Sequence, residues 1–146
     1  MPEPAPRFLI VDGHNIIHAW DDLRRLHLRG DKRYLAREEL LRRMRTLQDT
    51  SGERVVVVFD GTGSKITDEH SPDDVQVFYA DAGHTADALI ERLAAKYAAK
   101  FTLRVCTADR MIWEGATASG AEWISPDTLR YEVDNAGRTL QSRLKK

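Results

Sequence analysis

A single cysteine, Cys106, occurs in the 146-residue chain, which excludes an intramolecular disulfide framework and a Cys-rich zinc site. There is no surplus of one charge either. Lys and Arg number 22 against 23 Asp and Glu, a formal net charge of −1. That balance rules out a histone-like or tail-driven electrostatic binder, so any contact with nucleic acid must come from a local patch. No apolar run comes near the roughly 18–20 residues of a membrane span. The opening Met1-Pro-Glu-Pro-Ala-Pro6 has neither the basic nor the apolar region of a secretory signal. With 42% apolar and 31% charged residues, the chain can bury one core and is too short for two. The expectation is a single cytoplasmic domain over residues 7–138, after a disordered lead-in at 1–6 and before a basic C-terminal tail at 139–146.

Phe8–Val11 is a short, unbroken apolar run stopped by Asp12-Gly13, the pattern of a strand buried on both faces. Val55–Phe59, stopped by Asp60-Gly61, repeats it, and Val75–Tyr79, Leu103–Thr107 and Glu122–Ile124 read as further strands. Helical spacing fills the gaps. It predicts a helix from Ile16 to about Leu28 with Asn15 as N-cap, and one from Tyr34 to about Asp49 with Leu40, Leu41, Met44 and Leu47 on one face. A third runs from Thr85 to Lys100 with a stripe of Leu89, Ile90, Leu93 and Tyr97. Two shorter ones cover Arg110–Thr117 and Pro126–Val133, the last capped by Ser125. Apolar strands alternating with helices predict a three-layer α/β fold, a central parallel sheet flanked by helices. Gly61–Asp74 is the one long irregular stretch, of the kind that is usually functional or disordered.

In open parallel sheets ligands sit beyond the carboxyl ends of the strands, where strand order reverses. Three predicted strands end in or lead straight to an aspartate: Asp12, Asp60 and Asp109. Asp87 falls in the first turn of the helix after the third strand, and Glu91 is four residues on, on the same helix face. Each has a structural reading: Asp12 and Asp60 as Asp-Gly turn formers, Asp109 as an N-cap, Asp87 as a complement to the helix dipole. Their joint placement at one sheet edge favours chemistry. Converging carboxylates repel unless something positive neutralises them. A hard divalent cation, Mg²⁺ or Mn²⁺, does so with oxygen ligands and keeps waters for a phosphate.

Read together, Leu9-Ile-Val-Asp-Gly-His-Asn-Ile-Ile-His-Ala-Trp20, Val57-Val-Phe-Asp-Gly61, Thr85-Ala-Asp-Ala-Leu-Ile-Glu91 and Val105-Cys-Thr-Ala-Asp109 resemble the NYN domain family. The resemblance is closer to its YacP-like branch, within the PIN-like nuclease superfamily, and runs from about Phe8 to about Val133. It implies a PIN-like fold and a Mg²⁺- or Mn²⁺-dependent ribonuclease that cuts single-stranded RNA. By position, Asp12, Asp87 and Asp109 would be the core metal ligands and Asp60 a supporting acid. Asn15 would be the motif asparagine that orients the site, and Glu91 is added as a further metal ligand. Some relatives associate with the ribosome and cut mRNA there, which makes the ribosome an expected partner to test. The family commonly has an aromatic residue where His14 stands.

Other features carry weaker expectations. His14 and His18 have i,i+4 spacing but lack a third zinc ligand, so they read as packed histidines, with His14 a candidate phosphate contact. Gly61-Thr-Gly-Ser-Lys65 lacks the Walker order, which leaves Ser64 and Lys65 as loop residues that reach a substrate phosphate. Arg24, Arg25, Arg29, Lys32, Arg33, Arg37, Arg42, Arg43 and Arg45 outnumber the acids around them. They read as a solvated face with Glu38–Arg42 and Glu39–Arg43 pairs, or as a phosphate track on which Arg42 and Arg45 bind substrate. Trp113 and Trp123 read as core or semi-buried, Trp20 likewise with stacking as a second role, and Cys106 as an inert buried thiol. Two other functions compete: a non-catalytic RNA- or ribosome-binding module on the same fold, and a phosphoacceptor receiver domain. The receiver fold needs an acidic pair after the first strand and a lysine after the last, and neither is present.

Overall fold

The computed structural model describes residues 6–30, 33–60, 67–69, 74–80 and 85–144. The apolar runs form strands β1 (Arg7–Asp12), β2 (Arg54–Asp60), β4 (Gln76–Ala80), β5 (Thr102–Cys106) and β6 (Glu122–Ile124), all parallel. A short strand β3 (Thr67–Glu69) pairs antiparallel with β4, so the sheet order is β3-β4-β2-β1-β5-β6. Both points correct the expectation: the sheet has one antiparallel edge, and part of the stretch read as irregular is a strand. Its Thr-Asp-Glu sequence has no apolar residue to announce it; backbone pairing with Val77–Tyr79 makes it a strand.

Alternation along the buried strands sends Leu9, Val11, Val55, Val57 and Phe59 to one face and Ile10, Val56, Val58 and Val105 to the other. The first face is covered by α1 (Gly13–Ala19), α2 (Asp21–His27), α3 (Arg33–Ser51) and α6 (Pro126–Leu144). The second is covered by α4 (Ala86–Tyr97) and α5 (Arg110–Ala118). This is the expected three-layer, PIN-like α/β arrangement. Arg104 of β5 ties the layers by donating to both Glu53 and Glu132, each at 2.9 Å.

The first expected helix is two helices. Trp20 separates them in an extended conformation (φ −97°, ψ 119°). Its indole N–H donates to the Pro126 carbonyl at 3.1 Å and its ring is 4% exposed. That burial removes Trp20 as a stacking surface. α1 also starts at Gly13, with Asp12 in the cap position, so Asn15 lies inside the helix and is not its cap. The Ser125 cap is present, its hydroxyl accepting from Thr128 N at 3.1 Å. α6 continues past Val133 to Leu144, so residues 139–144 are helix rather than tail.

The chain leaves β1 for β2 and β4 on one side, then returns through α4 to β5 and β6 on the other. Strand order therefore reverses between β1 and β5, and the crevice expected of such sheets opens there. Gly13 sits at its lip against the buried Phe59 ring, which a Cβ on residue 13 would enter. Gly13→Ala is expected to cost about 1–3 kcal/mol through overpacking. Denaturant unfolding checks this, and an unchanged midpoint would mean that the ring yields freely.

Candidate active site

Asp12, the last residue of β1, is 5% exposed. Thr107, fully buried just after β5, donates its hydroxyl to Asp12 Oδ2 at 2.9 Å and accepts from Asp109 N at 3.1 Å. A second bond crosses the same crevice: Asn15 Oδ1 accepts from Ala108 N at 2.8 Å. The end of β1 with the start of α1 is thus joined to the loop after β5 by two side-chain bonds across the strand reversal. Asn15 is expected from the family motif to orient the site, whereas the role of Thr107 is not visible in the sequence. A polar residue at the end of a buried strand, inside the Thr-Ala-Asp run, is the only signal that Thr107 offers.

Asp109 is an N-cap, as its structural reading held: Oδ1 accepts from Met111 N at 2.9 Å and Ile112 N at 3.4 Å. Both bonds fall on one oxygen, so capping does not compete with coordination through Oδ2. Asp60, exposed at the end of β2, accepts from Ala86 N at 2.9 Å and so fixes the start of α4. Thr85 completes that helix end by accepting from Ala88 N at 3.0 Å. Asp87 follows, exposed in the first turn. Glu91 leans against α5, its Oε1 within 3.4 Å of where a Cβ on Gly115 would lie.

The charges of these groups act on one another. Burial, followed by the charges of Asp87, Asp60 and Asp109, pushes the Asp12 carboxyl up to about 6 against the Thr107 bond, which lowers it. Burial raises Asp87 too, followed by Asp109, Asp60 and Glu91. No three His, Cys, Asp or Glu side chains among the described residues close into a ready-made metal cage. The edge is an open acidic rim around one buried carboxylate.

His14 stands edge-on to Phe59 (5.7 Å between centroids) and to His27 (6.3 Å). Burial lowers its pKa despite the nearby Asp60 charge. Its Nε2 is buried and meets no partner among the described residues, so a phosphate does not reach that atom in this arrangement. His18 packs on His27 at 4.9 Å. Ser64 and Lys65 lie outside the described residues.

Among the described residues the expected basic track is spread over α2 and α3 rather than gathered at the rim, and Lys32 lies outside the described residues. Arg42 pairs with Glu39 at 2.6 Å, in place of the expected Glu38, and Arg43 reaches Glu39 at 3.8 Å and Asp22 at 2.5 Å. Arg45 pairs with Asp74 at 3.4 Å. Asp74 precedes β4, so Arg45 stands at the strand-start end of the sheet, opposite the aspartates. Arg37, one of the run but not singled out from it, stands beside the rim: it lies 5.9 Å over the Tyr79 ring and its charge acts on His14. Cys106 is buried as expected, and burial pushes its thiol far up. An apolar cavity of about 270 Å³, lined by Phe8, Phe78, Tyr97 and Phe101, lies toward the strand starts and away from the acids.

A doubly covered, mostly parallel sheet with aspartates at its carboxyl edge is the α/β architecture of a PIN-like domain. The sequence model of the YacP-like NYN domain matches residues 9–146, and the chain belongs to that family. It is 33% identical over 144 residues to the uncharacterized protein YacP of Bacillus subtilis (strain 168), covering 94% of this chain and 81% of that protein. Crystal structures of Rae1 (YacP) from Bacillus subtilis, one of a mutant, share the fold with TM-scores of 0.79 and 0.78 at 30% identity. They cover 94% of this chain and 80% and 79% of theirs. Membership makes this an RNA-related, nuclease-type domain. No helix among the described residues is long and apolar enough to cross a membrane.

Proposed function

We propose that the domain is a Mg²⁺- or Mn²⁺-dependent endoribonuclease that hydrolyses phosphodiester bonds in single-stranded RNA, and that it acts in the cytoplasm. The observation that supports this most is Asp12, a carboxylate at the strand reversal whose pKa is raised by burial first and then by the charges of three other aspartates. That is a deficit of positive charge, and a divalent cation meets it. The donor set fits a hard ion. It consists of carboxylate oxygens without thiolate, and Mg²⁺ takes one or two carboxylates while keeping its waters, so an open rim suffices. Asp12, Asp87 and Asp109 would hold the ion, with Glu91 next on α4. When bound, it would acidify a water and offset charge that develops on the phosphodiester.

The chain itself does the positioning. Thr107 holds Asp12 by its side chain and Asp109 by its amide. Asn15 fixes the loop between them. Asp60 sets the start of α4 and with it the reach of Asp87.

A labelled single-stranded RNA tests the reading. Cleavage should rise with Mg²⁺ or Mn²⁺, stop with chelator and return with metal. RNA that is bound but uncut at every metal concentration would instead mark a non-catalytic binding module. By the resemblance, ribosome-engaged mRNA is one substrate form to assay in the same way.

For the phosphate backbone, Arg37 is the contact this reading selects. Arg37→Glu should weaken binding evenly across sequences and reduce the slope of log affinity against log salt by about 0.7. The same titration reads whether the track extends to Arg42 and Arg45, whose joint reversal removes a further 1.4 or so if both contact phosphate. An unchanged slope on Arg37→Glu would remove it from the interface.

A further inference from the structure

The geometry points to Trp123 as a nucleobase-stacking residue beside the acidic rim, with Trp113 as its backing. The sequence alone placed both in or near the core. In the structure Trp113 of α5 and Trp123 of β6 stack with centroids 4.7 Å apart and planes 24° from parallel. The Trp123 indole N–H donates to the Thr107 carbonyl at 2.7 Å. The ring is therefore held by one bond and one neighbouring ring, yet it keeps 36% of its surface exposed, against 4% for Trp20. The stack with Trp113 covers one face of the ring, and the residue nonetheless stays open to solvent. A large apolar ring fixed in place and left open to solvent suits a planar partner, since little side-chain freedom remains to be lost when one stacks.

Its position selects that partner. Thr107, whose carbonyl holds the indole, gives its hydroxyl to Asp12 and receives the amide of Asp109. The open ring and the acids thus share one mount. β6 is the edge strand next to β5, so a strand of RNA that crosses the rim from β1 towards β5 continues onto Trp123. Single-stranded nucleic acids are held by such aromatic platforms, largely without regard to sequence, because every base has a π face. This inference rests on the ribonuclease reading for the part that puts RNA on the acidic edge.

The test is fluorescence anisotropy in chelator, with the full chain and a single-stranded oligoribonucleotide made abasic at each position in turn. With an oligoribonucleotide of the shortest length that still binds, which fixes the register, one position, or two adjacent ones, should weaken wild-type binding by about 5- to 150-fold when abasic. Trp123→Leu should bind the intact strand as weakly as the wild type binds the abasic one, and be indifferent to that abasic position. Trp123→Phe keeps a ring face but loses the bond to Thr107, and should retain most of the affinity. The platform is overturned if the wild type tolerates an abasic site everywhere, a scan that requires no variant to fold. It is equally overturned if the Phe variant falls as far as the Leu variant, which would leave Trp123 only its bond to Thr107. The two readings fail separately. A wild type with the abasic signature that cuts nothing with any metal loses the nuclease and keeps the platform; one that cuts but tolerates every abasic site does the reverse.

Discussion

Asp12→Asn, Asp87→Asn and Asp109→Asn should each abolish cleavage of single-stranded RNA, by about a thousandfold or more, and leave the fold intact. Losses of this size follow from removing charge that is aimed at the reacting phosphate, directly or through an ion. Asparagine is nearly the same shape, so each substitution tests charge rather than packing. At position 109 it also remains a good N-cap, so the bonds from Met111 and Ile112 persist and α5 keeps its start. At position 12 an amide oxygen still accepts from Thr107. Turnover with Mg²⁺ or Mn²⁺, beside circular dichroism of each variant, reads the result. A variant with near wild-type turnover identifies a residue that is not a ligand.

The same change at Asp12 should stabilise the metal-free protein at neutral pH. The folded pKa is about 6 and the ordinary value 3.8, so between these pH values the native state binds more protons than the unfolded chain. Stability from this group is complete below about pH 4 and is lost as pH rises through 6. Two pKa units correspond to about 3 kcal/mol for this buried side chain. Asp12→Asn does not titrate, so at pH 8 in chelator it should melt about 6–12 °C above the wild type. The gap should close towards pH 4. Metal should also raise the wild-type melting temperature at pH 8, by an amount that grows with its concentration over Kd, and leave the variant little changed. A wild type whose stability stays flat from pH 4 to 8 in chelator would show that Asp12 keeps an ordinary pKa.

The parallel strands were legible because burial on both faces writes an unbroken apolar run, as in Val55–Phe59. Their aspartates were legible for the same reason: a strand that must end at the sheet edge delivers the next residue there. What failed to show depends on tertiary partners. Ile16, Ile17 and Leu23 keep helical spacing across Trp20, and only the Pro126 carbonyl, over a hundred residues away, explains the break. β3 is polar and exists through pairing. Thr107 becomes important only once β5 is known to lie beside β1. The position of Arg45 was within reach, since a helix that leads into β2 must carry its last turns to the strand-start edge, away from the acids.

The Asn15–Ala108 and Asp12–Thr107 bonds have a dynamic consequence. A helix start after one strand and a loop after its neighbour would ordinarily open independently, each losing order on its own timescale. Here neither can swing out without breaking bonds anchored in the other, and their local opening becomes one event with a single free energy. The same bonds couple the positions of Asp12 and Asp109, so the two carboxylates belong to one unit of local stability.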